Sequence, residues 1–158
     1  MYDDEQHIDD LDGHIRRVQE NAMDLAKHFL RNGRQHDARV LLAKANAHDQ
    51  SKWGGIEWDV LHRGPDVDKD MLSAAIKQHN HTNDHHPEFW GGLKNMPELC
   101  VAEMVCDWLA RSQELATDFR QYVKTVAAER FDFRSAPNQA AWISEFTDIL
   151  LPQKFAKR

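Results

Sequence analysis

Apolar residues along the chain recur every three to four positions and nowhere alternate cleanly with polar ones. That period predicts helices nearly throughout and no sheet. From about Asp12 to Leu30, the residues His14, Val18, Ala22, Leu25, Ala26 and Phe29 form one stripe, and Asn32-Gly33 reads as a glycine-type helix stop. A second helix, about Asp37 to His48, turns Ala38, Leu41, Leu42 and Ala45 inward. Gly54-Gly55 interrupts the pattern and Gly64-Pro65 marks a firm turn. Asp68 serves as N-cap of a third helix carrying Met71, Leu72, Ala75 and Ile76 up to His79. The stretch from Asn80 to Met96 is irregular and polar. Pro97 takes the favoured first position of a long helix through Val101, Met104, Val105, Trp108 and Leu109. This helix is expected to bend near Ser112 and run on to about Glu129. A last helix, about Asn138 to Leu151, presents Trp142, Ile143, Phe146, Ile149 and Leu150; Pro152 ends it, and a basic tail to Arg158 frays. No repeat or linker divides the chain. The expected architecture is all-α, one compact bundle of about five to seven helices over residues 1–158, with its core within 11–151.

Charge narrows the partners. The 158 residues hold 26 Asp and Glu against 20 Lys and Arg, a net charge of -6. A protein held mainly by phosphate backbones normally shows a basic face, so nucleic acid is not the expected partner. A small phosphorylated substrate stays open, because a bound metal reverses the local field. No apolar run approaches ~18 residues, which excludes a membrane-spanning helix, and the opening Tyr2-Asp3-Asp4-Glu5 is unlike a signal peptide. Two cysteines, Cys100 and Cys106, lie six apart in one helical pattern and make no disulfide scaffold. A cytoplasmic protein is expected, with a homo-oligomer left open. Ten histidines are present, four of them between His79 and His86.

The chemistry begins at His48-Asp49, at the end of an amphipathic helix. Consecutive residues cannot both face a core, but both can reach one ion at the helix end, and imidazole with carboxylate suits a divalent transition metal. His14 on the first stripe and Asp107 at the edge of the long helix's apolar side each need a polar partner. Each has an ordinary structural reading as well: a satisfied core histidine, or an aspartate paired with arginine. The case for a site is their occurrence together on helices that must pack on one another. In the histidine-rich stretch, Pro87 holds the residues before it extended, so His85 and His86 are expected to diverge, one toward an ion and the other toward solvent or substrate.

His14, the His48-Asp49 pair followed by Lys52, and Asp107 together resemble the HD-domain superfamily of metal-dependent phosphohydrolases. The resemblance covers roughly residues 11–110, and the last third is matched only as more helix. It implies an HD-like bundle in which His14, His48, Asp49 and Asp107 hold a divalent ion (Mn, Fe, Co, Zn or Ni). In members with two ions, the cyclic-dinucleotide phosphodiesterases and the HD-type oxygenases, further histidines hold the second. This implies that role for His79, His85 and His86, with His81 also in reach. The Gly-Tyr-Pro signature of those phosphodiesterases is absent. The blocks His48-Asp49-x-Ser51-Lys52, His85-His86-Pro87-Glu88 and Glu103-Met104-x-x-Asp107-Trp108 also resemble a small uncharacterised family of HD-like proteins met in bacteria and phages.

The activity so implied is a metal-dependent phosphohydrolase acting on a nucleotide or another small phosphate ester through metal-activated water. Lys52 would steady the phosphate, while His86, Glu88 or Glu57 would carry protons. Trp53 and Trp90 would stack a base, and Asn80 and Asn83 would read its polar groups. Glu103 shares a helix face with Asp107 and would orient the site from behind. Ordinary readings of these residues remain: solvated charges, core or rim tryptophans, turn asparagines. Two other classes of function stay open, a di-iron oxygenase of a small organic substrate and a metal-stabilised module that binds a nucleotide or protein without turnover.

Overall fold

A computed structural model of the protein describes residues 3–62 and 66–152. The expected Gly64-Pro65 turn, the start at Tyr2 and the basic tail lie outside the described residues. Those described contain no strand. The long helices are α1 (Asp4–Arg31), α2 (Gln35–Asn46), α4 (Lys69–Thr82), α5 (Glu98–Leu115) and α8 (Pro137–Leu150), with the short α3 (Gly55–Val60) between α2 and α4. Between α5 and α8, α6 (Phe119–Tyr122) runs through a widened π-helical stretch, Val123–Ala127, into α7 (Ala128–Arg130). Counting α6 and α7 as one gives seven helices among the described residues, within the expected range. None of them is long and apolar enough to cross a membrane.

The amphipathic stripe of α1 explains the packing. Leu11, Ile15, Val18, Ala22, Leu25, Ala26 and Phe29 are buried at helical spacing, and α1 packs along α2, α5 and α8. Leu41 of α2, Val101 and Met104 of α5 and Ile143 and Phe146 of α8 complete one continuous core. There Phe29 meets Phe146 edge-on, with ring centroids 5.9 Å apart. Helices α3 and α4 pack on each other; α3 also meets the turn after α2, and α4 meets the turn Pro87–Trp90.

Four helix limits differ from the sequence pattern. Helix α1 starts at Asp4 rather than near Asp12, because the Asp3 carboxylate caps the Glu5 N–H at 3.0 Å and acidic residues suit a first turn. Only His7 and Leu11 of that segment face inward, so its period is faint. Helix α2 ends at Asn46, which leaves His48 in the turn beyond it rather than on the helix. Helix α4 continues through Thr82 instead of stopping at His79, and the irregular stretch after it contains two 3-10 turns, Pro87–Trp90 and Leu93–Asn95. Finally, α5 does not run to Glu129. It stops at Leu115 because Ala116 turns left-handed, φ 51°, and Asp118 caps a new helix.

Alanine in the left-handed region carries a steric cost of roughly 1–2 kcal/mol that glycine avoids, partly offset by glycine's freer unfolded state. Ala116→Gly is therefore expected to raise stability by about 0.5–1 kcal/mol. Urea denaturation of both proteins measures this, and a loss of stability would show that the methyl group is wanted where it sits.

Candidate metal centre

The turn after α2 does the first positioning. Ala47 ends the helix and Asp49 takes up a left-handed backbone, φ 55° and ψ 20°, tolerated by aspartate better than by most residues. This reversal aims two consecutive side chains at one point, and both are 1% exposed. His14 arrives from the middle of α1, Asp107 from α5, His79 from the last turns of α4, and His85 from the turn that follows. Lys52, one 3-10 turn beyond Asp49, folds back to place its Nζ 2.6 Å from Asp49 Oδ2.

Four imidazoles present Nε2 to the two aspartates. His14 Nε2 lies 3.1 Å from Asp107 Oδ1 and 3.7 Å from Asp49 Oδ2. His48 Nε2 lies 3.5 Å from Asp49 Oδ1 and 3.8 Å from Asp107 Oδ1. The Nε2 atoms of His79 and His85 each stand 3.3 Å from Asp49 Oδ1. Every one of these rings is gripped from behind. His14 Nδ1–H donates to Glu114 Oε1 at 2.6 Å and His79 Nδ1–H to Glu57 Oε2 at 2.8 Å. Glu103 Oε1 accepts from His48 Nδ1–H at 3.0 Å and stands 3.3 Å from His85 Nδ1. A carboxylate accepts only, so these contacts keep a proton on Nδ1 and leave Nε2 facing inward, where a cation would take the place of its proton. His48 Nε2, His85 Nε2 and Asp49 Oδ1 are buried and make no hydrogen bond. Unsatisfied polar atoms at that depth are costly, and a cation among them would satisfy all three. The ligand atoms of His14, His48 and Asp49 lie within 4.8 Å of one another, as do those of His79, His85 and His86, so each group could hold an ion.

The expected divergence of His85 and His86 does not occur. His86 is extended, φ -105° and ψ 135°, as a residue before proline should be. His85, however, sits in a turn closed by the His86 N–H on the Asn83 carbonyl, where successive side chains fan out by less than in a strand. The two rings are 4.3 Å apart, and both lie beside His79. His81 is exposed and joins no such group.

Other sequence candidates sit around this nest. Glu57, 1% exposed, accepts from Ser51 Oγ, Gln78 and His79. The Asn83 amide is engaged by Ser51 Oγ and the His79 carbonyl, and the Trp90 N–H closes the histidine loop on the Asp84 carbonyl. Those two side chains thus brace the loop, and Asn80 is half-buried on α4. Trp53 is exposed and stacks on Trp58, centroids 6.1 Å apart. Glu88 Oε2 and His86 Nε2 are buried without a hydrogen bond. Sequence reasoning missed Glu114 and Lys44. Glu114 lies seven residues, two helical turns, after Asp107 on the face that already carries Glu103. That spacing was the available signal. Lys44, which contacts Glu103 Oε2 at 3.1 Å, gave none.

Electrostatics follow from so many carboxylates. Burial lowers the affinity of the His48 imidazole for a proton, but Asp49, Asp107 and Glu103 outweigh it and raise its pKa to about 10. His14 and His85 also move up against burial, chiefly through Asp107 and Asp49 respectively. Against the same burial, Asp49 and Asp107 are held well below the carboxylate range and Glu103 at about 2. His86 moves the other way, to about 3, through burial and the neighbouring His85. A raised folded-state pKa stabilises fully below the unfolded value and is lost as pH rises through the folded one. In chelator, the Tm of the protein is therefore expected to fall as pH rises from 6.5 toward 10, the window set by His48. Replacing the chelator with excess Mn2+ should flatten that fall, since a divalent cation takes the place of the protons. Thermal melts followed by circular dichroism across the window check this; a level Tm in chelator contradicts the assignment.

No curated protein and no solved structure matches the chain. A family model does, over residues 3–152, which takes in every helix described above and both groups of candidate ligands. The chain belongs to that family, DUF5662, a family of unknown function.

Proposed function

We propose that the protein is a metal-dependent phosphohydrolase of a nucleotide or another small phosphate ester. One observation carries this reading: each inward-facing imidazole has its outer nitrogen fixed on a glutamate, the arrangement that prepares histidine as a metal ligand. His14, His48, Asp49 and Asp107 are the ligands proposed for one divalent ion, with His79, His85 and His86 for a second. A divalent transition ion there supplies Lewis acidity and a water acidic enough to ionise near neutral pH. The chain's own groups do the rest. Glu103, Glu57 and Glu114 hold the rings in register, so little ordering remains when substrate arrives. Lys52 keeps a fixed ammonium beside Asp49 with a quarter of its side chain exposed, 27%, and so offers a charge to a phosphoryl oxygen. His86, beside His79 and His85 with its Nε2 free of hydrogen bonds, is the group proposed to pass on a proton when it is not a ligand, provided a nearby negative charge restores the basicity that burial and His85 take away.

A second reading, the di-iron oxygenase, draws on Asp49 Oδ1, which stands equidistant from His79 and His85, 3.3 Å to each, on the side where a second ion would lie. Metal analysis of freshly purified protein, with phosphate release measured on nucleoside mono-, di- and triphosphates, separates the readings. One or two ions per chain and phosphate release are expected, both abolished by Asp49→Ala. Glu103→Gln should lower metal affinity about 10–100-fold, as loss of an orienting carboxylate does elsewhere. Full metal content in Asp49→Ala would sink the site. Iron with oxygen consumption and no phosphate would favour the oxygenase, and nucleotide binding without any product would favour a non-catalytic module.

A further inference from the structure

Glu103 serves two rings at once. Glu57 grips His79 and Glu114 grips His14, one ring each. Glu103 Oε1 instead accepts from His48 Nδ1–H at 3.0 Å and stands 3.3 Å from His85 Nδ1. His48 belongs to the turn after α2 and His85 to the loop after α4, so one oxygen keeps two separate segments in register. In the proposed centre these two rings serve different ions. Such an arrangement is sensitive to the plane of the carboxylate. The last torsion of a glutamate side chain has only broad preferences of its own, and a turn of the plane withdraws Oε1 from one ring or the other.

What fixes that plane lies at the other oxygen. Glu103 is 2% exposed and its Oε2 makes no hydrogen bond, but Lys44 Nζ stands 3.1 Å away as an ion pair. The ammonium is itself held in place. It donates to both oxygens of Asp84, each at 2.7 Å, and only 15% of the lysine side chain is exposed. Burial weakens its hold on the proton, yet Glu103 and Asp84 outweigh burial and raise its pKa, so the charge is permanent. Asp84 immediately precedes His85. Lys44 on α2 therefore joins Glu103 on α5 to the histidine loop, tying together the segments that aim His48 and His85. An ordinary ion pair with Asp84 needs no contact with Glu103, and it is the contact with Glu103 that gives Lys44 a part in the centre.

We infer that Lys44 is a positioning residue of the metal centre, fixing the Glu103 carboxylate so that one oxygen holds His48 and His85 together. It acts through Glu103 and reaches neither ion nor substrate. The inference rests on the metal-binding part of the proposed function and holds equally for hydrolysis and for oxygenation.

Titration of the metal-free, full-length protein with Co2+, followed by visible absorption, tests it without turnover. The natural protein is expected to bind Co2+ saturably. Lys44→Met keeps the stem and removes the ammonium. It should weaken Co2+ about tenfold, the lower end of what loss of an orienting group costs. It should also change the spectrum of the bound ion, which reports the geometry of its ligands and which a loss of stability alone leaves as it was. Lys44→Arg restores the cation, and the cleft of about 510 Å³ lined by Lys44, Asp84 and Glu103 has room for the longer side chain. Its affinity and spectrum are expected to return close to those of the natural protein. Because Lys44 acts through Glu103, adding Lys44→Met to Glu103→Gln should cost little beyond Glu103→Gln alone. Undiminished affinity or an unchanged spectrum in Lys44→Met, or a double variant weakened by the product of the two single losses, would overturn the inference and leave the centre standing. A natural protein that binds no Co2+ would overturn the centre itself, and this role with it.

Discussion

The structure turns on the cost of hiding charge. Asp49, Glu57 and Glu103 are each almost fully buried, and Asp107 and Glu114 nearly so, beside a core that is mostly aliphatic and aromatic. An isolated buried carboxylate is far too costly to survive folding, so each must meet a cation or several donors. The imidazoles of His14, His48, His79 and His85 supply those partners, and Lys52 and Lys44 close the periphery. Packing of α1 against α2 and α5 is what brings these groups together.

That demand explains local features that look unfavourable alone. Asp49 holds a left-handed backbone with a side chain, an arrangement expected to persist only where its surroundings enforce it. What enforces it is the ring of partners: relaxing the backbone would withdraw the carboxylate from His48, His79, His85 and Lys52 together. The histidine loop is fixed in the same spirit. The Trp90 indole on the Asp84 carbonyl and the Asn83 amide on Ser51 and His79 hold a segment of irregular backbone closely enough to aim three rings. A site assembled this way is ordered before any ligand arrives, which is the condition the proposed hydrolase chemistry needs.

Much of this was legible from residues alone. Helical period in α1, α5 and α8 follows from the spacing of Val18, Leu25, Phe29, Met104 and Phe146, since a stripe that must be buried leaves a 3.6-residue signature whatever it packs on. His14, His48, Asp49 and Asp107 stood out because polar groups on or beside apolar stripes require partners. The limits of α1 and α5 did not show, for they depend on a single cap at Asp3 and a single backbone reversal at Ala116, neither of which alters a periodic pattern.

Residue types and their period along the chain thus determined the helical class, the buried faces and the identity of the polar groups that had to be reconciled inside. Only the tertiary structure decided the pairing: Glu114 with His14, Glu57 with His79, and one glutamate, Glu103, shared between His48 and His85. It also turned His85 and His86 toward the same histidine and set Lys44 between Asp84 and the centre. The physical reason is that a helix face records what is buried through its own local geometry. The choice of partner depends on crossing angles and turn conformations between segments as distant as residues 14 and 114, and no local pattern carries that information.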